Sequence, residues 1–230
     1  GSTISIPVDG SYYKTSDAID TNITGTANDA LSGINYVNIT IYNSADETYW
    51  TGTAWQEDVA WLNTNGTTTW YNNSALPIWV HDKTYYINST AVDTAGNIES
   101  SSDSNSFTYD TIDPSAPTYN DDENQWYTSN PTLDIDFEDG VALASVEYKI
   151  DTGGTYTTLD SGIVGKTYTD NWQIDSSVWN EMSNGTHYLY FKITDDAGNV
   201  YETDSNEAGF TIKKDTDTPS STIVLPENNA

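Results

Sequence analysis

The chain has 230 residues, no cysteine, and 35 acidic residues against 7 lysines and arginines, for a net charge of −28. This composition rules out disulfides, thiol chemistry and cysteine-based zinc sites. It argues against binding nucleic acid or an anionic membrane through a basic patch, since both need the opposite charge, and no apolar run is long enough to span a bilayer. Such acidity repels itself and demands counterions, which fits solubility, a saline habitat or divalent-cation binding.

In chain order, Thr3–Pro7 reads as an opening strand and Ala18–Ala27 as a second, with Ile19, Thr21, Ile23 and Gly25 on one face. Ile34–Tyr42 is the clearest: Val37, Ile39 and Ile41 alternate with Tyr36, Asn38, Thr40 and Tyr42, the period of a half-buried strand. A tryptophan-rich stretch of short strands and turns follows, with Leu62 and Trp70 closing a core. Lys83–Asp93, with Tyr85, Ile87, Ser89 and Ala91 inward, and Asn105–Tyr109 complete the unit.

The order then repeats. Thr132–Phe137 puts Leu133, Ile135 and Phe137 inward. Val146–Ile150, Tyr156–Leu159, Trp172–Ile174, a helical turn at Ser176–Met182, His187–Asp195 and Gly209–Lys213 follow, and in His187–Asp195 the inward face carries Leu189, Phe191 and Ile193 and the other Tyr188, Tyr190 and Lys192. Asp93-Thr94-Ala95-Gly96-Asn97 returns as Asp195-Asp196-Ala197-Gly198-Asn199. Asp110-Thr111-Ile112-Asp113-Pro114 returns as Asp215-Thr216-Asp217-Thr218-Pro219, and Ser2–Pro7 as Ser221–Pro226. Self-similarity at a fixed period marks a tandem array. The expected fold is all-β: two antiparallel β-sandwiches over 1–113 and 114–218, with 219–230 opening a third repeat or serving as an exchanged strand.

The Asp-x-Ala-Gly-Asn phrases, Phe107-Thr108-Tyr109-Asp110-Thr111 with Pro114 and Pro117, and Tyr49-Trp50-Thr51-Gly52-Thr53-Ala54-Trp55 resemble the immunoglobulin-like repeats found in tandem in large bacterial and archaeal surface proteins. The resemblance covers essentially the whole chain. It implies an extracellular, cell-surface location and a structural role in a stalk, filament or surface layer, with neighbouring repeats as partners. No signal peptide is recognisable, so if the parent is secreted its signal and anchor are expected outside these residues. A carbohydrate-binding adhesin module and an accessory domain of a secreted hydrolase are the alternatives.

In such a sandwich the opening strand, the B–C turn and the F–G turn share one end. Asp110 and Asp113 of the linker should then meet Asp139 of the B–C turn and Asp195, Asp196 and Asn199 of the F–G turn. Converging carboxylates call for a cation, and calcium, which takes six to eight oxygens, suits them. The arrangement is similar to a cadherin junction, although Asp-Thr-Ile-Asp-Pro is not the cadherin linker phrase. Turn chemistry alone also explains each phrase, because Asp accepts backbone hydrogen bonds and Gly supplies positive φ.

Trp50, Trp55 and Trp61 are candidates for contact with neighbouring protein or with a glycan. Of six Asn-x-Ser/Thr sequons, a number that chance alone produces in a chain this rich in Asn, Ser and Thr, Asn38, Asn65, Asn88 and Asn184 are placed to accept a sugar. Ser221–Pro226 could pair with another copy's sheet edge. Two histidines, no cysteine and no acid in an apolar pocket give no basis for an enzyme.

Overall fold

The computed structural model describes residues 1–203 and 209–223. In the first half the strands are β1 (Ser2–Ile6), β2 (Ser11–Tyr13), β3 (Ile23–Ala27), β4 (Ile34–Asn43), β5 (Thr48–Trp50), β6 (Trp55–Gln56), β7 (Leu62–Asn63), β8 (Asn65–Gly66), β9 (Thr69–Asn72), β10 (Lys83–Asp93) and β11 (Asp103–Tyr109). One sheet runs β1-β3-β9-β8. The other runs β2-β11-β10-β4-β5-β6, with β7 also on β4.

In the second half the elements are β12 (Thr118–Tyr119), β13 (Gln125–Tyr127), β14 (Thr132–Leu133), β15 (Ile135–Glu138), β16 (Leu143–Ile150), β17 (Thr157–Ser161), β18 (Thr167–Tyr168), β19 (Trp172–Gln173), α1 (Ser176–Glu181), β20 (Gly185–Asp195), β21 (Val200–Glu202) and β22 (Phe210–Lys214). The main sheet is β13-β22-β20-β16-β17 with β21 on β20. The facing layer is broken into β12-β15-β18 and β14-β19. In both halves one strand runs parallel to the last strand of the half, β2 along β11 and β13 along β22, while the other pairings are antiparallel. The chain is an all-β protein built as β-sandwiches.

Alternation explains the layers. Val37, Ile39 and Ile41 of β4, Tyr85 and Ile87 of β10, and Phe107 of β11 are all buried and face Ile4, Ile23 and Trp70 of the opposite sheet. Gly25 makes room for that closure. A Cβ there would fall 2.0 Å from the Thr3 carbonyl oxygen and 2.1 Å from the Trp70 ring. A second core gathers Leu133, Ile135, Phe137, Val146, Trp172, Phe191 and Phe210. The first cluster draws only on residues before the linker at 110–117, the second only on residues after it.

The structure departs from the sequence expectations in several places. Ala18–Asp20 is a 3-10 turn, so β3 starts at Ile23: Ile19 is buried there, but Thr21 is exposed because the turn breaks the alternation. Thr132–Phe137 keeps all three inward residues but splits at Asp134, whose N–H donates to the Asp121 carboxylate at 2.5 Å. Tyr190, expected on the outer face of β20, is buried. Ser221–Ile223 forms no strand, and the remainder of the expected opening strand of a third repeat, 224–226, lies outside the described residues.

Two separate cores predict two thermal transitions. Phe107→Ala should cost about 3–5 kcal/mol and lower one transition, and Phe137→Ala should do the same to the other. Calorimetry in which either substitution lowers both transitions equally would show a single cooperative unit.

Candidate metal centre

The ends of β11, β15 and β20 meet where the halves join. The Asp-x-Ala-Gly-Asn phrase closes a tight turn after β20. Gly198 sits at φ 82°, a backbone that favours glycine. Asp195 holds the turn: its Oδ1 accepts from the Asn199 backbone N–H at 2.8 Å and its Oδ2 from Asn199 Nδ2 at 2.8 Å. After β15, Asp139 Oδ1 accepts the backbone N–H groups of Val141 and Ala142, both at 2.7 Å. After β11, the Asp110 N–H donates to the Tyr13 carbonyl at 2.8 Å, and Asp110 Oδ1 accepts from the Ile112 N–H at 3.1 Å.

These three turns aim three carboxylates at one point. Ligand oxygens of Asp110, Asp139 and Asp195 all lie within 4.8 Å of one another. The residues are 1%, 4% and 2% exposed, a degree of burial that carboxylates show only when paired or metal-bound. Burial pushes the Asp110 carboxyl above the usual range, repulsion from Asp139 adds to it, and the Ile112 N–H and His81 oppose it. Burial likewise raises Asp195, against the pull of Asn199, with Asp110 and Asp139 contributing. Asp196 is raised by burial and by Asp139.

The other expected residues take different roles. Asn199 is buried and braces the seam, its Nδ2 donating to the Asp110 carbonyl at 3.1 Å as well as to Asp195. Asp113 and Asp196 are exposed and stand outside the triad; the Asp196 N–H donates to the Ala142 carbonyl at 3.0 Å. Pro114 is buried, and the Ser115 N–H donates to the Glu138 carbonyl at 3.0 Å, which ties the linker down.

Three basic side chains were not anticipated. His81 Nδ1 lies 3.0 Å from Asp110 Oδ1. Lys14 Nζ donates to the Gly198 carbonyl and Lys166 Nζ to the Gly140 carbonyl. The parallel pairing Tyr13↔Tyr109 brings Lys14 beside Asp110, and the pairing Lys83↔Tyr109 brings His81 there. Only the scarcity of bases in the chain hinted at either. The donor set is oxygen-rich and lacks thiolate, which suits a hard cation such as calcium better than zinc or copper.

Elsewhere, Trp50 and Trp55 are half-buried, with rings 5.3 Å apart, and Trp55 stacks on Tyr85 at 6.0 Å, so both close the first core. Trp61 is 51% exposed and lines a groove with Tyr36 and Ile98. Among the sequons, Asn65 and Asn184 are exposed, whereas Asn38 and Asn88 are half-buried, and Asn88 Nδ2 donates to Thr40 Oγ1 at 2.9 Å.

No protein-family model matches the chain, and no match was found among the curated proteins. Solved structures do resemble it. One is of a 1.5-MDa bacterial ice-binding adhesin retained on a host cell surface, at 15% identity and TM-score 0.36, covering 93% of this chain and 64% of that one. Another is a tetra-tandem repeat from the extending region of a large adhesion protein, at 18% identity and TM-score 0.34, covering 94% and 49%. A third is a Ca2+-stabilized adhesin of an Antarctic bacterium, at 18% identity and TM-score 0.37, covering 96% and 50%. The chain spans about half to two thirds of the length of these relatives. The TM-scores lie below 0.5, so the functional reading rests on the seam itself.

The raised carboxyls fix the sign of a pH effect. A folded-state pKa above the unfolded one means that the ionised form opposes folding. That cost is full above the folded value and is relieved as pH falls through it toward the ordinary carboxylate range. In chelator, the seam should therefore gain stability as pH drops from neutral through the raised values of Asp110 and Asp195, and Asp110→Asn should flatten the gain. A seam transition that weakens monotonically on acidification, in both proteins, would contradict this.

Proposed function

We propose that residues 1–113 and 114–218 are two immunoglobulin-like modules of an extracellular cell-surface protein, and that the segment serves as a spacer stiffened by calcium at the seam. The observation that carries this reading is the buried triad: Asp110 comes from the exit of one half, Asp139 and Asp195 from the other, and their ligand oxygens lie within 4.8 Å of one another. A cation bound there would be held by both halves at once. It would convert mutual repulsion into attraction and restrict bending about 110–117. Asp110, Asp139 and Asp195 would be the ligands, Asn199 would brace the seam, and His81 would offset part of the charge. The role proposed is structural, since the groups that converge are fixed by backbone hydrogen bonds.

The surface location follows from the same chemistry. A calcium-loaded linker suits a compartment where calcium is abundant. No helix among the described residues is long and apolar enough to cross a membrane.

The test is small-angle scattering and thermal melting, with calcium and with chelator. Calcium at about 100 times its Kd should add about 2.7 kcal/mol to the modules it joins and should lengthen and narrow the distribution of end-to-end distances. Asp110→Asn should reverse sign between conditions, stabilising the chelated protein by on the order of 1 kcal/mol as repulsion falls and destabilising the calcium-treated one. Identical melting and scattering in both conditions would remove the proposal.

A further inference from the structure

The seam is assembled from an exit half and an entry half, and both halves are present again at the free ends of the described structure. At the second exit, the Asp215 N–H donates to the Tyr127 carbonyl at 3.0 Å, and Asp215 Oδ1 accepts from the Asp217 N–H at 3.0 Å. These are the two bonds that fix Asp110, to the Tyr13 carbonyl and from the Ile112 N–H. At the front of the first half, Asp93 Oδ1 accepts from the Asn97 N–H at 2.8 Å and Oδ2 from Asn97 Nδ2 at 2.7 Å. That matches Asp195 and Asn199 oxygen for oxygen. Asp29 Oδ2 accepts the N–H groups of Leu31, Ser32 and Gly33, as Asp139 does those of its own turn. The Thr94 N–H reaches across to the Gly33 carbonyl as the Asp196 N–H reaches to that of Ala142.

What differs is what covers the face. In the second half the face is filled by the exit segment at 110–115, through Asn199 Nδ2 to the Asp110 carbonyl and the Ser115 N–H to the Glu138 carbonyl. In the first half the corresponding place is a groove of about 380 Å³ lined by Gly1, Asp29, Ile34, Asp93, Asn97 and Glu99.

We infer that the Asp29–Asp93–Asn97 face is a docking surface for the exit segment of a second copy of this chain or of a like module. The incoming carboxylate at the position of Asp215 completes a calcium site. The inference rests on the reading of the seam given above. It makes the segment's ends complementary, so that an array of such modules repeats one cation-bridged joint at every seam. The occupant is an exit segment rather than an arbitrary peptide, because the same face in the other half holds one.

The sequence supplies the test. Ser221–Pro226 repeats Ser2–Pro7. Joining Ser220 of one copy directly to Ser2 of another therefore reproduces the chain's own order across a new seam. Calcium is titrated by calorimetry into the single chain and into this tandem, with Asp93→Asn and Asp195→Asn together in every copy giving the baseline for non-specific binding. One specific site per single chain and three per tandem are expected. Asp215→Asn in the leading copy should return the tandem to two sites, and in the trailing copy should leave three. A tandem that binds two would overturn the docking inference and leave the proposed function standing. A single chain that binds none would overturn the proposed function itself.

Discussion

Three carboxylates buried with ligand oxygens within 4.8 Å of one another repel strongly even with His81 and Lys14 close by, yet the fold's turns hold them there. Asp139 and Asp195 each organise a turn by accepting backbone N–H groups, and Asp110 does so more lightly. Their conformations are therefore set locally, before the halves meet. Placement of the charges and closure of the turns are one event, so the repulsion cannot be escaped by a change of rotamer. It has to be met by protonation, by the nearby bases, or by a metal ion.

The scaffold accounts for the convergence. A sandwich puts its B–C and F–G turns at one end, and the linker arrives at that end because β11 points there. The parallel edge strand β2 contributes twice, giving Asp110 a backbone acceptor at Tyr13 and then delivering Lys14 to the Gly198 carbonyl. The cores stand apart, so the seam is a small polar contact between two apolar bodies.

Much of this was legible in the sequence. Val37, Ile39 and Ile41 and the inward set of Leu189, Phe191 and Ile193 are buried as read, because period-two patterning is a property of the strand itself, whereas Thr40 and Tyr190 on the opposite faces are buried too, covered by neighbours that alternation does not reveal. Internal repetition located the turns, and the shared end of a sandwich brought Asp110, Asp139 and Asp195 together. The distinction between those three and Asp113 or Asp196 was not legible. It depends on which way each side chain leaves its turn, and neighbouring acids in one loop look alike in sequence. His81 and Lys14 were missed because strand register, not sequence spacing, places them. Trp50 and Trp55 gave no sign that Tyr85 would occupy their ring faces.

The central claim is that a cation occupies the seam. The most direct measurement is a crystal structure of the protein grown in calcium, with anomalous scattering used to identify the ion. The account predicts a single anomalous peak among Asp110, Asp139 and Asp195, with six to eight oxygens at about 2.3–2.6 Å. A water molecule at that point, or a His81 nitrogen occupying it with the carboxylates turned away, would contradict it.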